Sequence, residues 1–211
     1  MLRKTLIITD VTAMSEDNVC IAGYDSSLKC VRPVLPMSQI KKTHLFEDKE
    51  LIIYPGAKVS FYFIKHMPHP PHVEDYVFKE DSIRFEGKVS EIKWNELLEN
   101  TAVHSFADLF PKLESRYVPS ASPGPSIGTF LSAKVPFLSC DYYKTPPRPR
   151  LKISDDTGMV IDRVAITDLA FRCFFEFLMK EHRGNCENVI AKINNKLQKR
   201  QVFLRLGLAR P

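Results

Sequence analysis

The sequence predicts a β-rich α+β protein, and three observations predict it. Short β-branched and aromatic runs recur toward both ends of the chain, separated by turn residues. Helical periodicity is confined to the middle and to a stretch near the end. A Pro/Ser/Gly-rich segment at 118–128 parts two strand-rich blocks, each the size of a small Greek-key barrel.

The elements follow in order. Residues 3–12 (RKTLIITDVT) are β-branched and bounded by charge, which predicts a strand. Strands are expected again at 19–24 (VCIAGY), where Gly23 marks a bulge or a close backbone approach, and at 28–34, where Pro33 places the strand at an edge or at its end. Residues 36–50 read as a polar loop. Strands are expected at 51–53, 58–65, 76–78 and 82–89, while MPHPPH at 67–72 carries too many prolines for regular structure. Apolar spacing predicts two short helices within 92–113, with Trp94 in the core. In the second block, 132–143 reads as a strand pair or one bent strand, with further strands at 148–154 and 159–166 and a turn between them at Asp155–Gly158. The longest helix is expected near 167–182, capped by Thr167 or Asp168, stopped by Gly184 and buried on most sides. A second helix is expected at 186–197, and the chain closes on a strand. The expected division is a first barrel with trailing helices at 1–117, a linker or loop at 118–131, and a second barrel with two inserted helices at 132–211.

Composition narrows the function classes. In 211 residues, 44% are hydrophobic and 26% charged, which allows one large domain or two small ones with proper cores. The net charge of +5 tolerates anionic partners without demanding them. No stretch matches a membrane helix, and the apolar run ending at Asp10 is too short for a secretory segment. The five cysteines form no CxxC pair, so a zinc ribbon has no support. They read as buried thiols in a reducing, cytoplasmic compartment. No Gly-rich phosphate loop is present, and no cofactor is implied.

Several residue groups carry chemistry. PHVED places His72, Glu74 and Asp75 close enough for acid–base or metal work, with the opposing reading a structured loop whose carboxylates accept backbone N–H bonds. His66, His69 and His72 are the metal candidates. Arg32, Arg205 and Arg210 either line one phosphate-binding groove or pair internally with Asp10, Asp25 or Asp75. Arg148, Arg150 and Lys152 alternate along one strand and so share a face, with Tyr142 and Tyr143 just before them. Cations interleaved with aromatics suit a single-strand platform; the opposing reading is an edge strand protected by charge. Cys20, between Val19 and Ile21, reads as a buried thiol rather than a nucleophile.

Four segments together carry a family resemblance: ITDVT…VCIAGYD…VRP at Ile8 to Pro33, PHVEDYVF at Pro71 to Phe78, PRLKISDDTG…AITDLAF at Pro149 to Phe171, and FLRLGLARP at Phe203 to Pro211. In this order they resemble the dual OB-fold domain proteins of prokaryotes. The resemblance implies two OB-like Greek-key barrels and a non-enzymatic nucleic-acid-binding role, single strands before duplex, in a mobile-element or defence system. The rival expectations are a nucleotide- or nucleic-acid-processing enzyme working through PHVED, and a module that senses a small ligand or binds a protein partner.

Overall fold

The computed structural model describes residues 2–114, 118–119, 124–143 and 146–209. The first block begins with β1 (Leu2–Ala13), β2 (Val19–Tyr24) and β3 (Cys30–Val34), an antiparallel run in sequence order. A short hairpin follows, β4 (Phe46–Glu47) with β5 (Glu50–Leu51), and then β6 (Ala57–His66), β7 (Asp75–Phe78) and β8 (Arg84–Lys88). β7 lies parallel to β3 and antiparallel to β6, and β6 pairs back onto β1. Five strands, in the order β1-β2-β3-β7-β6, thus close into a barrel, and β8 extends the sheet along the start of β6.

The alternation of residues along β6 explains the closure. Val59, Phe61 and Phe63 point inward and are buried, while Tyr62 and Ile64 face out. Phe61 meets Phe78 edge-to-face at 5.2 Å, and Leu6, Ile8, Ile21 and Val31 fill the remaining core. β1 needs a bulge between Ile8 and Asp10 to curve around this core. Gly23 sits opposite Ile8, where any Cβ would collide with the Ile7 carbonyl. The segment expected to be a loop at 36–50 contains a 3₁₀ turn at Lys42–Leu45 and most of the β4–β5 hairpin. Ile52 and Ile53, expected in a strand, are instead core residues just beyond that hairpin.

The middle holds α1 (Glu91–Thr101), β9 (Ala102–Val103) and α2 (Phe106–Leu109). Ser90 caps α1 and Ser105 caps α2 through side-chain oxygens that accept backbone N–H bonds. Trp94, expected in the core, is half-buried; Leu97 and Leu98 are the residues α1 buries. Val103, Phe106, Leu109 and Phe110 join the second hydrophobic cluster, so the core changes near residue 100, ahead of the expected linker. Within that linker, residues 120–123 lie outside the described residues.

The second block contains β10 (Ile127–Leu131), β11 (Phe137–Asp141), β12 (Arg148–Ser154), β13 (Val160–Ala165), α3 (Leu169–Glu181), α4 (Cys186–Leu197) and β14 (Phe203–Gly207). Among the described residues its strands form two three-stranded sheets, β14-β10-β9 and β11-β12-β13. Phe106 stacks on Phe130 at 4.6 Å, with Leu138, Leu151, Ile153, Phe175, Val189 and Ile193 around them. α4 covers the edge strand β11, and Asn194 acts as a surrogate strand. Its carbonyl accepts the Leu138 N–H at 2.8 Å, and its amide donates to the Leu138 carbonyl at 2.9 Å.

Two expectations need correction here. α3 starts at the Asp168 cap and its end is closed by Gly184 at φ +79, but it is not buried on most sides. Phe171, Phe175 and Leu178 form the inward stripe, whereas Phe174 and Phe177 fall outside it, 41% and 58% exposed. The cysteines are also not all free thiols: Cys140 on β11 and Cys186 at the start of α4 form a disulfide. Cys20 and Cys30 are half-buried and Cys173 is exposed.

Candidate functional site

The outer face of the β11-β12-β13 sheet gathers the cations and aromatics of the second block. On β12, Leu151 and Ile153 turn inward, which sends Arg148, Arg150 and Lys152 to the other face. Register then sets their neighbours: Lys152 lies opposite Phe137, Arg150 opposite Ser139, and Arg148 opposite Asp141. Phe137 is 54% exposed, an aromatic ring left in water beside a lysine. Tyr142 and Tyr143 follow β11 and are 58% and 93% exposed. Asp141 organises the cations, accepting from Arg150 at 3.4 Å and forming an ion pair with Arg163 at 3.2 Å. Burial works against the Asp141 charge, but the Tyr143 N–H, Arg163 and Arg150 hold its carboxyl below the usual range. Arg150 is therefore half spent on this pairing, while Arg148 and Lys152 stand exposed.

Sequence reasoning missed Phe137, Asp141 and Arg163. The signal for Phe137 was present, since Phe137, Ser139 and Asp141 alternate along one strand. Alternation alone does not say which face meets water. Arg163 stands at φ +57, a conformation that no local residue pattern announces.

Of the arginines offered either for a groove or for internal pairing, Arg32 and Arg205 are paired internally. Arg32 on β3 donates through Nε to Asp75 at 2.5 Å, with both side chains almost fully buried. Arg205 on β14 reaches across to the first block. Its Nε donates to the Asp10 carboxylate at 3.0 Å, and its Nη1 to the Tyr24 hydroxyl at 2.6 Å and to Thr129 Oγ1 at 2.8 Å. The guanidinium also lies over the Tyr24 ring at 4.8 Å. Burial pulls Arg205 downward, but Asp10, Cys30 and Tyr24 outweigh it and hold the group above the usual arginine range. Burial pushes the neighbouring Cys30 thiol up to about 12, against the pull of Arg205. Arg210 lies outside the described residues.

The PHVED residues are likewise inside. Glu74 accepts from Ser126 through both the backbone N–H, at 2.6 Å, and the hydroxyl, at 2.7 Å. Asp75 holds Arg32, and His72 is 5% exposed. Glu74 thus ties the loop before β7 to the start of β10, the carboxylate-accepting alternative for this motif. The three histidines do not converge on one point. His66 stacks on Tyr76 at 4.2 Å and pairs through Nε2 with the Val73 carbonyl, while His69 and His72 exchange backbone bonds. Among the described residues, no group of three or more His, Cys, Asp or Glu side chains is arranged to hold a metal ion. No helix among them is long and apolar enough to cross a membrane.

Comparison with protein families, with curated proteins and with solved structures finds no match.

Proposed function

We propose that this protein is a nucleic-acid-binding module of the dual OB-fold kind its sequence resembles, and that it holds a single strand on the outer face of β11-β12-β13. The observation that carries the reading is exposed Phe137 opposite Lys152, on the face that Arg148 and Arg150 share, with exposed Tyr142 and Tyr143 directly after β11. Bases stack on exposed rings whatever their sequence, and cations spaced along a strand follow the phosphates. The closed first barrel, with β3 parallel to β7, is compatible with an OB-like topology. Internal pairing of Glu74 and Asp75 favours binding over catalysis, because proton carriers engaged in buried bonds do not meet a substrate.

The test is fluorescence anisotropy with labelled single-stranded DNA, single-stranded RNA and duplex DNA across a salt series. Single strands should bind with an affinity that falls as salt rises. Replacing Arg148, Arg150 and Lys152 together by Ala should flatten the log–log salt slope by about 2, at roughly 0.7 for each phosphate no longer neutralised. Absence of binding to every probe at low salt would overturn the reading.

A further inference from the structure

Two adjoining clefts open on the first barrel, away from the β12 face and away from the buried ion pairs. One, of about 330 Å³, is lined by Arg3, Tyr62, Lys79, Asp81, Ser82 and Arg84. The other, of about 300 Å³, shares Asp81 and Arg84 and continues over His44, Phe46, Ile52 and Glu80. Together they form one trough, with Arg84 at the junction.

The first cleft is built to present positive charge. Arg3 on β1 lies directly opposite Tyr62 on β6, and Arg84 on β8 lies opposite Ser60. All these side chains therefore stand on the outer face of one three-stranded run. Arg3 Nε donates to Ser60 Oγ at 3.1 Å, which fixes the guanidinium along the sheet. The wall at 79–82 is fastened to β6 in both directions. Lys79 N–H donates to the Tyr62 carbonyl, and Tyr62 N–H donates to Ser82 Oγ, each at 3.0 Å. Three cations line the cleft with one carboxylate, Asp81, which is engaged by Lys79 at 3.0 Å, while Glu86 nearby is occupied by the Ser60 hydroxyl at 2.7 Å.

The second cleft has the opposite character. Phe46, Ile52 and Ile83 give it an apolar lining, and Phe46 is 48% exposed. Its polar groups are mainly acceptors, Glu47 and Glu80. His44 is fixed between its neighbours: Nδ1 lies 3.1 Å from the Lys41 N–H and 3.3 Å from the Lys41 carbonyl, and Nε2 pairs with Glu80 at 2.7 Å. An anion would be repelled from this end and drawn to the other. A flat ring lying on Phe46, with hydroxyls donating to the carboxylates, would be accepted here.

We propose that the trough binds a 5′-nucleoside monophosphate unit. Its phosphate lies against Arg3, Lys79 and Arg84, its base on Phe46, and its ribose hydroxyls donate to Glu47 or Glu80. The same chemistry is offered by a free nucleotide and by the phosphorylated end of a strand. The site uses none of the residues assigned to strand binding, so each reading stands or falls alone.

Isothermal titration of the full chain tests this with the four common ribonucleoside 5′-monophosphates, their nucleosides, and inorganic phosphate. At least one monophosphate should bind about tenfold or more tightly than either its nucleoside or phosphate alone. Arg84→Gln should weaken that binding about tenfold through the lost charge-assisted bonds, with an unchanged melting temperature. Phe46→Ala should weaken the monophosphate and leave phosphate binding unaltered. A 5′-phosphorylated oligonucleotide, offered to the Arg148/Arg150/Lys152 triple alanine variant, separates the two sources. Displacement of the monophosphate by the oligonucleotide marks the strand end as ligand, and failure to displace marks the free nucleotide. The proposal is overturned if no monophosphate binds better than phosphate, or if Arg84→Gln binds as tightly as the unaltered chain.

Discussion

The two blocks use arginine in opposite ways. Arg32, and Arg205 reaching across from β14, are sealed against Asp75 and Asp10 in and beside the first barrel, where their role is to position strands. On the second sheet, Arg148 stays at the surface, and Arg150 is only partly engaged by Asp141. The same side chain thus serves as an internal fastener in one place and as a contact surface in the other. A carboxylate within reach and a covering strand make the difference. Sequence shows the arginine in each case but not the cover.

Substitution should separate these roles sharply. Arg205→Ala leaves the buried Asp10 without its cation, and urea unfolding should show a loss of about 3–5 kcal/mol. Arg148→Ala should change stability by less than about 0.5 kcal/mol in the same experiment. Equal losses would erase the contrast.

The second block has its own fasteners on the edge strand β11, and removing them measures how far it depends on α4. Cys140→Ser should cost about 2–4 kcal/mol under oxidising conditions, as expected for a loop closed over a sequence separation of 46. Under reducing conditions the difference should nearly vanish. Asn194→Ala strands the Leu138 N–H and carbonyl, and thermal unfolding should report a loss of about 1–3 kcal/mol.

A smaller loss concerns a turn of the first barrel. Burial opposes the Asp25 charge, but Ser27, Lys4 and the backbone N–H groups of Ser27 and Lys29 outweigh it and bring the carboxyl down to about 2. Its folded value is thus below its unfolded one. The stabilisation is complete above the ordinary value near 3.8 and is lost as pH falls toward 2. Asp25→Asn should cost roughly 1–2 kcal/mol at pH 7, allowing for solvent screening, and unfolding curves of the two proteins should converge between about pH 4 and 2.

Much of the fold was legible because local chemistry determined it. The strands at 19–24 and 148–154 and the helix at 186–197 fall where alternation, turns and helical apolar spacing place them. The Asp168 cap and the Gly184 stop were readable for the same reason. What escaped was pairing over distance. The Cys140–Cys186 bond and the bidentate hold of Asn194 on Leu138 each join residues tens of positions apart, and no periodicity encodes them. The site was legible to the same degree. Arg148, Arg150 and Lys152 shared a face as their spacing required, but Phe137 entered only through register, and the trough on the first barrel arises from β1, β6, β8 and two turns that no motif links.

The Asp10–Arg205 pair spans 195 positions of sequence, and that separation bears on synthesis. As the chain leaves the ribosome, the first barrel emerges long before β14 does. Until then Asp10 lacks its cation, and Tyr24 and Thr129 lack the guanidinium they share. The nascent barrel is therefore an unfinished body, with an acidic seam open to water or to any passing cation. Completion comes late, when β14 carries Arg205 into place and shuts the seam.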